Sequence, residues 1–223
     1  MSNTLLLMGA SGSGKSTATR NLDPKTTFFI NVLDKPLPFK GYKKHYKPIN
    51  GWDDKEGNYL ATDDWQRIIK CMQIINKSRP EVTTLVIDDL QYVLANEFMR
   101  RSHERGFDKY SELANHYWQI ITLANSCRSD LLTVFISHNE VDQSGKSKVK
   151  TIGKLLDEKI TIEGMFTTVL HSIVIDGNFQ FMTQSDGFLT AKSPIDMFSS
   201  QLIDNDLLYV KQRLESYFND DEE

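Results

Sequence analysis

Apolar residues along this chain follow two rhythms. Short, nearly unbroken runs have the length and the β-branched and aromatic content of strands buried on both faces: "TLLLM" at 4–8, "TTFFINV" at 26–32, "VTTLVIDD" at 82–89 and "LLTVFISH" at 131–138. Between them the apolar positions move to helical spacing. In "TDDWQRIIKCMQIINKS", Trp65, Ile68, Ile69, Met72 and Ile75 share one face, and Thr62 or Asp63 caps it. "KSTATRNL" starts a helix that Asp23-Pro24 ends. Two helical segments run from Leu90 to Arg105 and from Asp108 to Arg128, and a short one lies near Gly153 to Lys159. "FTTVLHSIVI" and "FQFMTQ" flank Asp176-Gly177-Asn178 and read as a hairpin. Asp204 to Phe218 reads as an amphipathic helix. The stretch holding Pro36, Pro38, Gly41, Pro48, Gly51 and Gly57 reads as a long irregular loop. This alternation predicts an α/β fold with a mainly parallel central sheet, helices on both faces and an antiparallel hairpin at the C-terminal edge.

Composition narrows the picture. A length of 223 residues suits one domain over 1–223: a core to residue 200, a C-terminal helix over 201–218 and an acidic tail over 219–223. Hydrophobic content of 39% and charged content of 25% suit a soluble globular protein. Cys71 and Cys127 lie far apart in apolar helical patterns, so buried free thiols in a reducing compartment are expected. No run has the length of a membrane span, and the N-terminus lacks the basic lead of a signal peptide; a cytoplasmic protein is the expectation. The net charge of −4 argues against a passive nucleic-acid coat. Charge is nevertheless uneven: "KPLPFKGYKKHYK" at 35–47 carries lysines and no acid, and the chain ends in "DDEE".

Chemistry enters at "GASGSGKST". Gly9, Gly14, Lys15 and Ser16 satisfy G-x-x-x-x-G-K-[ST], a phosphate-binding loop between a strand and a helix. Gly9, Ala10, Ser11, Gly12, Ser13, Gly14, Lys15, Ser16 and Thr17 are expected to wrap the phosphates of ATP. Lys15 supplies a cation for the β and γ phosphates, and the Ser16 hydroxyl a ligand for Mg²⁺. Asp88 ends an apolar strand beside that loop, where a second Mg²⁺ carboxylate belongs. Its neighbour Asp89 either polarises the attacking water or caps the helix near Leu90. Asp34, just past the second strand, is another candidate base or an ordinary loop residue. His138 ends a core strand and is expected to sense the γ-phosphate; the remaining histidines show no metal spacing.

Two basic stretches invite a nucleic-acid reading. Lys43 and Lys44 lie in the loop that interleaves lysines with Phe39, Tyr42, His45 and Tyr46, and those rings either stack on bases or fold back on the core. "QSGKSKVKTIGK" follows the His138 strand, and its Lys146, Lys148 and Lys150 are expected to contact DNA phosphates.

These motifs together resemble the RecA-like ATPase core. That branch of P-loop proteins has an extra strand between the P-loop strand and the strand bearing the Asp, with a polar sensor at the end of the strand after it. The separation of Lys15 and Asp88 suits that branch better than small nucleotide kinases. More narrowly, the chain is similar to phage AAA-family ATP-binding proteins of the single-strand-annealing recombinase type. The pieces that carry the likeness include "FFINVLDKPLPFKGY", "LVIDDLQY", "FDKYSELA", "VFISHNE", "TIGKLLDEKITIEGMFTTVLH", "TAKSPIDMF" and "IDNDLLYVKQRLESY". The resemblance implies ATP hydrolysis coupled to single-stranded DNA, annealing or strand exchange, a homo-oligomeric ring or filament, a phage single-strand-binding protein as partner, and the host cytoplasm. It also implies that Lys192 reaches the γ-phosphate of an adjacent subunit. No glutamate stands at the position of the RecA base, near Leu33 and Asp34, which leaves the base open between Asp34 and Asp89. The chain starts at the core strand, without the N-terminal element RecA uses for assembly, so other surfaces would have to build any oligomer. The acidic tail either competes with DNA or solubilises the end. The rival readings are a nucleotide kinase, with "MRR" at 99–101 as its lid, and an ATP-switched loader of a replication protein.

Overall fold

The computed structural model describes residues 3–219. The strands are β1 (Asn3–Gly9), β2 (Thr27–Asn31), β3 (Tyr59–Ala61), β4 (Thr84–Asp88), β5 (Leu132–Val141), β6 (Ser147–Val149), β7 (Thr168–Ile175), β8 (Asn178–Met182) and β9 (Leu202–Asp204). The α-helices are α1 (Tyr42–His45), α2 (Trp65–Ser78), α3 (Gln91–Arg100), α4 (Asp108–Asn125) and α5 (Leu207–Asn219). The sheet runs in the order β3-β2-β4-β5-β1-β7-β8-β9, with β6 paired to β5 alone. From β3 to β7 all pairings are parallel; β7–β8, β8–β9 and β5–β6 are antiparallel. The mixed α/β architecture and the antiparallel C-terminal edge match the sequence expectation.

The continuous apolar runs arise because the sheet is covered on both sides. Strand side chains alternate in direction, so Leu6 and Met8 join one core with Phe28, Ile30, Ile87 and Phe135 under α2, α3 and α4. Leu5 and Leu7 join the other with Phe29, Val86, Val134 and Ile136 under α5. Asp64, one residue past the two expected candidates, caps α2 through its Oδ1, which accepts from the Gln66 and Arg67 backbone amides.

Some elements differ from the sequence reading. The segment after the phosphate loop is a 3-10 helix, Ser16–Asn21. The long irregular stretch contains α1 and β3. The lysine-rich segment after His138 is a hairpin rather than a loop, because β5 continues to Val141 and turns back through β6. Residues 202–204 form β9, and the C-terminal helix starts at Leu207. The terminal acids at 220–223 lie outside the described residues.

One topological fact positions the site. β5 lies between β1 and β4, so the C-terminal ends of β1, β5, β4 and β2 form one row. Gly9 registers with His138, and Asn31 with Asp88. Residues far apart in sequence thus face one crevice at the strand ends.

Candidate active site

The loop after β1 is held by close approach. A Cβ on Gly9 would meet the Ser172 carbonyl at 2.5 Å, and the Ser172 hydroxyl donates to the Ser13 carbonyl at 2.5 Å. Gly14 has φ +91°, and a Cβ there would lie 2.8 Å from the Phe179 ring. Glycine is therefore required at both positions, for space at the first and for conformation and space at the second.

The loop folds around its own lysine. Lys15 is buried, and its Nζ donates to the carbonyls of Gly9 at 2.9 Å and Ala10 at 2.7 Å. Burial lowers its pKa to about 8, against the opposing pull of Asp89 and Asp88. Above it lies a cavity of about 370 Å³ lined by Ser11, Gly12, Gly14, Lys15, Ser16, Thr17, Asp88, Asp89, His138 and Phe179, with Lys35, Pro36 and Pro38 closing one side. Gly9, Ala10 and Ser13 do not line it: the first two supply the carbonyls that hold the lysine, and Ser13 anchors the loop to β7.

The two adjacent carboxylates have different environments. Asp88 accepts from the Ser16 hydroxyl at 3.0 Å and is buried. Burial, then the charge of Asp89, raises its carboxyl to about 6. Asp89 has φ 62°, in the left-handed region, so the chain turns instead of continuing the strand. Its Oδ1 faces His138 Nε2 at 3.3 Å and its Oδ2 faces Lys35 Nζ at 2.5 Å. Burial would raise this carboxyl too, but the His138 and Lys35 contacts outweigh it and hold it at about 2. The helix-cap alternative for Asp89 does not hold, because α3 has Leu90 at its N-cap and no side-chain capping bond. His138 is itself placed by Gln91, whose Oε1 accepts from the His138 backbone amide at 3.1 Å.

The donor set fits Mg²⁺. A hydroxyl and a carboxylate are hard oxygen ligands, and Mg²⁺ takes few of these beside water and phosphate oxygens. Burial has already raised the Asp88 carboxyl, a cost that a divalent cation would offset. Among the described residues no group of three or more His, Cys, Asp or Glu side chains is placed to hold a metal alone.

The other expected site residues lie elsewhere. Asp34 is exposed, has φ 52°, and its Oδ1 accepts from the Tyr59 hydroxyl at 3.1 Å; it does not line the cavity. Lys192 forms a backbone bridge with Val169, on the β7 strand short of the Ser172 that abuts the loop, and is absent from the cavity wall. Lys148 is engaged by Glu140 at 3.4 Å and closely by Asp157, while Lys146 and Lys150 are exposed. Lys43, Lys44 and His45 are exposed on α1, but Phe39, Tyr42 and Tyr46 turn inward. Tyr46 is buried against Phe29 with ring centroids 5.4 Å apart, and Phe39 packs on Tyr42 and Tyr46. Burying those rings removes them from solvent at a gain that stacking on bases would forfeit. Arg100 pairs with Asp63, and Arg101 with Glu97, Glu104 and Glu112, so neither side chain forms a lid over the cavity.

Sequence reasoning missed Lys35 and Phe179. Lys35 was visible as a lysine just beyond a core strand end, the same signal that marked Asp88 and His138. Phe179 carries no such mark, because the hairpin brings it to Gly14 only through the fold. A second cavity, of about 1040 Å³, adjoins the first and shares Thr17 and Phe179 with it; Arg20, Ile175, Asn205 and Tyr209 are among its walls.

A glycine loop ending in Lys-Ser, a buried strand-end aspartate hydrogen-bonded to that serine, and an intervening strand that carries a histidine level with the loop define a P-loop NTPase. The AAA domain family matches residues 1–193, and the chain belongs to that family. No curated protein matches the chain. Among solved structures, a genome packaging NTPase from Sulfolobus turreted icosahedral virus 2, in complex with ATP-gammaS, is similar at 12% identity with a TM-score of 0.41. The match covers 76% of this chain and 74% of that one. Among the described residues no helix is long and apolar enough to cross a membrane.

Proposed function

We propose that this chain is a Mg²⁺-dependent ATPase whose turnover is coupled to single-stranded DNA, acting as a homo-oligomer in annealing or strand exchange. The observation that carries the ATPase reading is the meeting of Lys15, Ser16, Asp88, Asp89 and His138 on one cavity wall. Lys15 would exchange its two carbonyl partners for phosphate oxygens, and backbone amides of the glycine loop would take the rest of the charge. When bound at Ser16 and Asp88, Mg²⁺ supplies neutralisation of the charge that develops on the phosphates. Asp89 orients the attacking water, with His138 fixing one of its oxygens. The nucleoside would lie in the larger cavity beyond Thr17, against Phe179.

The DNA reading is supported by the β5–β6 hairpin. It grows directly from His138, whose carbonyl accepts from the Lys150 amide at 2.9 Å. A change at the phosphate end of the cavity has a short covalent path to exposed Lys146 and Lys150. A nucleotide kinase is disfavoured because, among the described residues, no arginine lines the smaller cavity, and Arg20 of the larger one donates to the Thr17 and Asn205 carbonyls. The test is steady-state ATP hydrolysis with and without single-stranded DNA, with Lys15→Ala as the blank. Stimulation by DNA that the variant lacks supports the coupled ATPase. Turnover indifferent to DNA sinks the coupling and leaves an ATP-switched partner of a replication protein.

A further inference from the structure

Lys35 is the charged residue on the cavity wall to which the motifs assign no role. It extends from the segment after β2, half exposed, and its ammonium lies 2.5 Å from an Asp89 carboxylate that is only 4% exposed. Asp89 thus has a neighbour at each oxygen without substrate: Oδ1 faces His138 and Oδ2 is ion-paired with Lys35. With the Lys35 ammonium held against it in a nearly closed pocket, Oδ2 is blocked from approaching water while the pair stands. Lys15 is self-satisfied in the same way, on loop carbonyls.

The two cavities give the site a direction. Thr17 and Phe179 are shared with the larger cavity, whereas Lys35, Asp88, Asp89 and His138 line only the smaller one. A nucleoside in the larger cavity runs its phosphate chain past Thr17 and Lys15, so its terminal phosphate points toward Lys35 and Asp89. A triphosphate there places far more negative charge within reach of the ammonium than one aspartate does.

We propose that Lys35 is a terminal-phosphate-reading residue. It pairs with Asp89 when the cavity is empty and moves to the terminal phosphate of a nucleoside triphosphate when it is filled. The exchange frees Asp89 Oδ2 to take water, so the carboxylate becomes available only when a terminal phosphate is present. A diphosphate, one phosphate shorter, leaves the clamp closed. The inference rests on the ATP reading of the same site, and goes beyond it in naming the phosphate that is read and the residue that reads it.

Calorimetric titration of metal-free protein with ATP and with ADP tests it. The variants are Lys35→Met, Lys35→Arg, Asp89→Asn, the double Lys35→Met/Asp89→Asn, and Lys15→Ala. Lys35→Met should weaken ATP binding about tenfold and ADP binding less than twofold, which amounts to about 1.4 kcal/mol placed on the terminal phosphate. Lys35→Arg should keep most of the ATP affinity. Asp89→Asn, which removes the competing anion, should tighten ATP binding about threefold or more, and the double variant should bind as Lys35→Met does. Equal losses for ATP and ADP in Lys35→Met, or an ATP affinity within twofold of wild type, overturn the proposal. So does an Asp89→Asn protein whose ATP affinity is unchanged or reduced, and that arm stands even if Lys35→Met fails to fold. Wild-type protein that binds neither nucleotide, or a Lys15→Ala variant that binds both normally, would instead sink the ATP reading itself.

Discussion

Replacing Asp88 by Asn removes one titration while keeping the oxygen to which Ser16 donates. Burial, reinforced by the charge of Asp89, raises the Asp88 carboxyl from 3.8 to about 6. The folded, nucleotide-free protein therefore binds this proton more tightly than the unfolded chain does. The contribution is fully present below pH 3.8 and is lost as pH rises through 6. The gap between the two values, at about 1.4 kcal/mol per pH unit, is roughly 3 kcal/mol in all. Between pH 8 and pH 6 it supplies only about 0.4 kcal/mol, by pH 5 about 1.4, and by pH 4 about 2.4. Asp89, held at about 2, stays ionised in both proteins over most of that window.

The amide brings its own constant cost. A buried Asn needs acceptors for its NH₂ group, and lacking one costs about 1–3 kcal/mol. That offset does not change with pH. Lys15, held at about 8 partly by the charge of Asp88, adds a difference of the same sign near pH 8, so the stretch from pH 6 to pH 5 isolates the Asp88 titration. The assay is urea unfolding of both proteins in EDTA, without nucleotide, at pH 5, 6, 7 and 8. Lowering the pH from 8 to 5 should favour wild type over Asp88→Asn by about 1.4 kcal/mol, most of it below pH 6. A difference constant within about 0.3 kcal/mol across that range would mean Asp88 ionises like an exposed acid, and the buried Ser16–Asp88 pair would have to be redrawn.

Two further outcomes follow from the geometry. Gly14→Ala forces a side chain into φ +91° and against Phe179, so it should destabilise the fold by about 2–4 kcal/mol in urea unfolding and abolish nucleotide binding. Adding Phe179→Ala should recover the steric part alone; full recovery would show that backbone strain contributes nothing. On the hairpin, Lys146→Ala/Lys150→Ala should lower single-stranded DNA affinity and flatten the dependence of log K on log salt by about 1.4, at about 0.7 for each phosphate that a lysine no longer neutralises. Lys148→Ala should leave that slope unchanged, because Glu140 and Asp157 already neutralise it; fluorescence anisotropy across a salt series reads both.

The long strands and helices were legible because burial imposes a period on the sequence. β1, β2, β4 and β5 are buried on both faces and show as unbroken apolar runs. β3, β6 and β9 have three residues each, too few to establish a period. Their pairing is decided by an edge already built: β2 for β3, β5 for β6, β8 for β9. Residues 202–204 could be drawn into the C-terminal helix because Leu202 and Ile203 are apolar and lie one turn before Leu207. The aromatics of the 35–47 stretch were ambiguous for a similar reason. A ring that stacks on a base and a ring that packs on Phe29 are written with the same letter.

The active-site loop was legible because a contiguous run of backbone forms it, whereas its surroundings depend on two turns that periodicity does not encode. Strand alternation would send Asp88 and Asp89 to opposite faces of the sheet. The left-handed φ of 62° at Asp89 breaks that alternation, and both carboxylates line one cavity. The end of β2 repeats the device: Asp34, with φ 52°, turns its carboxylate to Tyr59, and Lys35 lines the cavity in its place. Aspartate is among the few side chains that tolerate this region, because it can hydrogen-bond locally. At each strand end an Asp therefore serves as a conformational break, and only at the end of β4 is the same Asp also the group that faces the cavity. The Lys35–Asp89 pair joins the two breaks across the cavity mouth. The strand end at Leu33 and Asp34, where an acid was expected, does reach the site, but the charge that this end delivers is a cation.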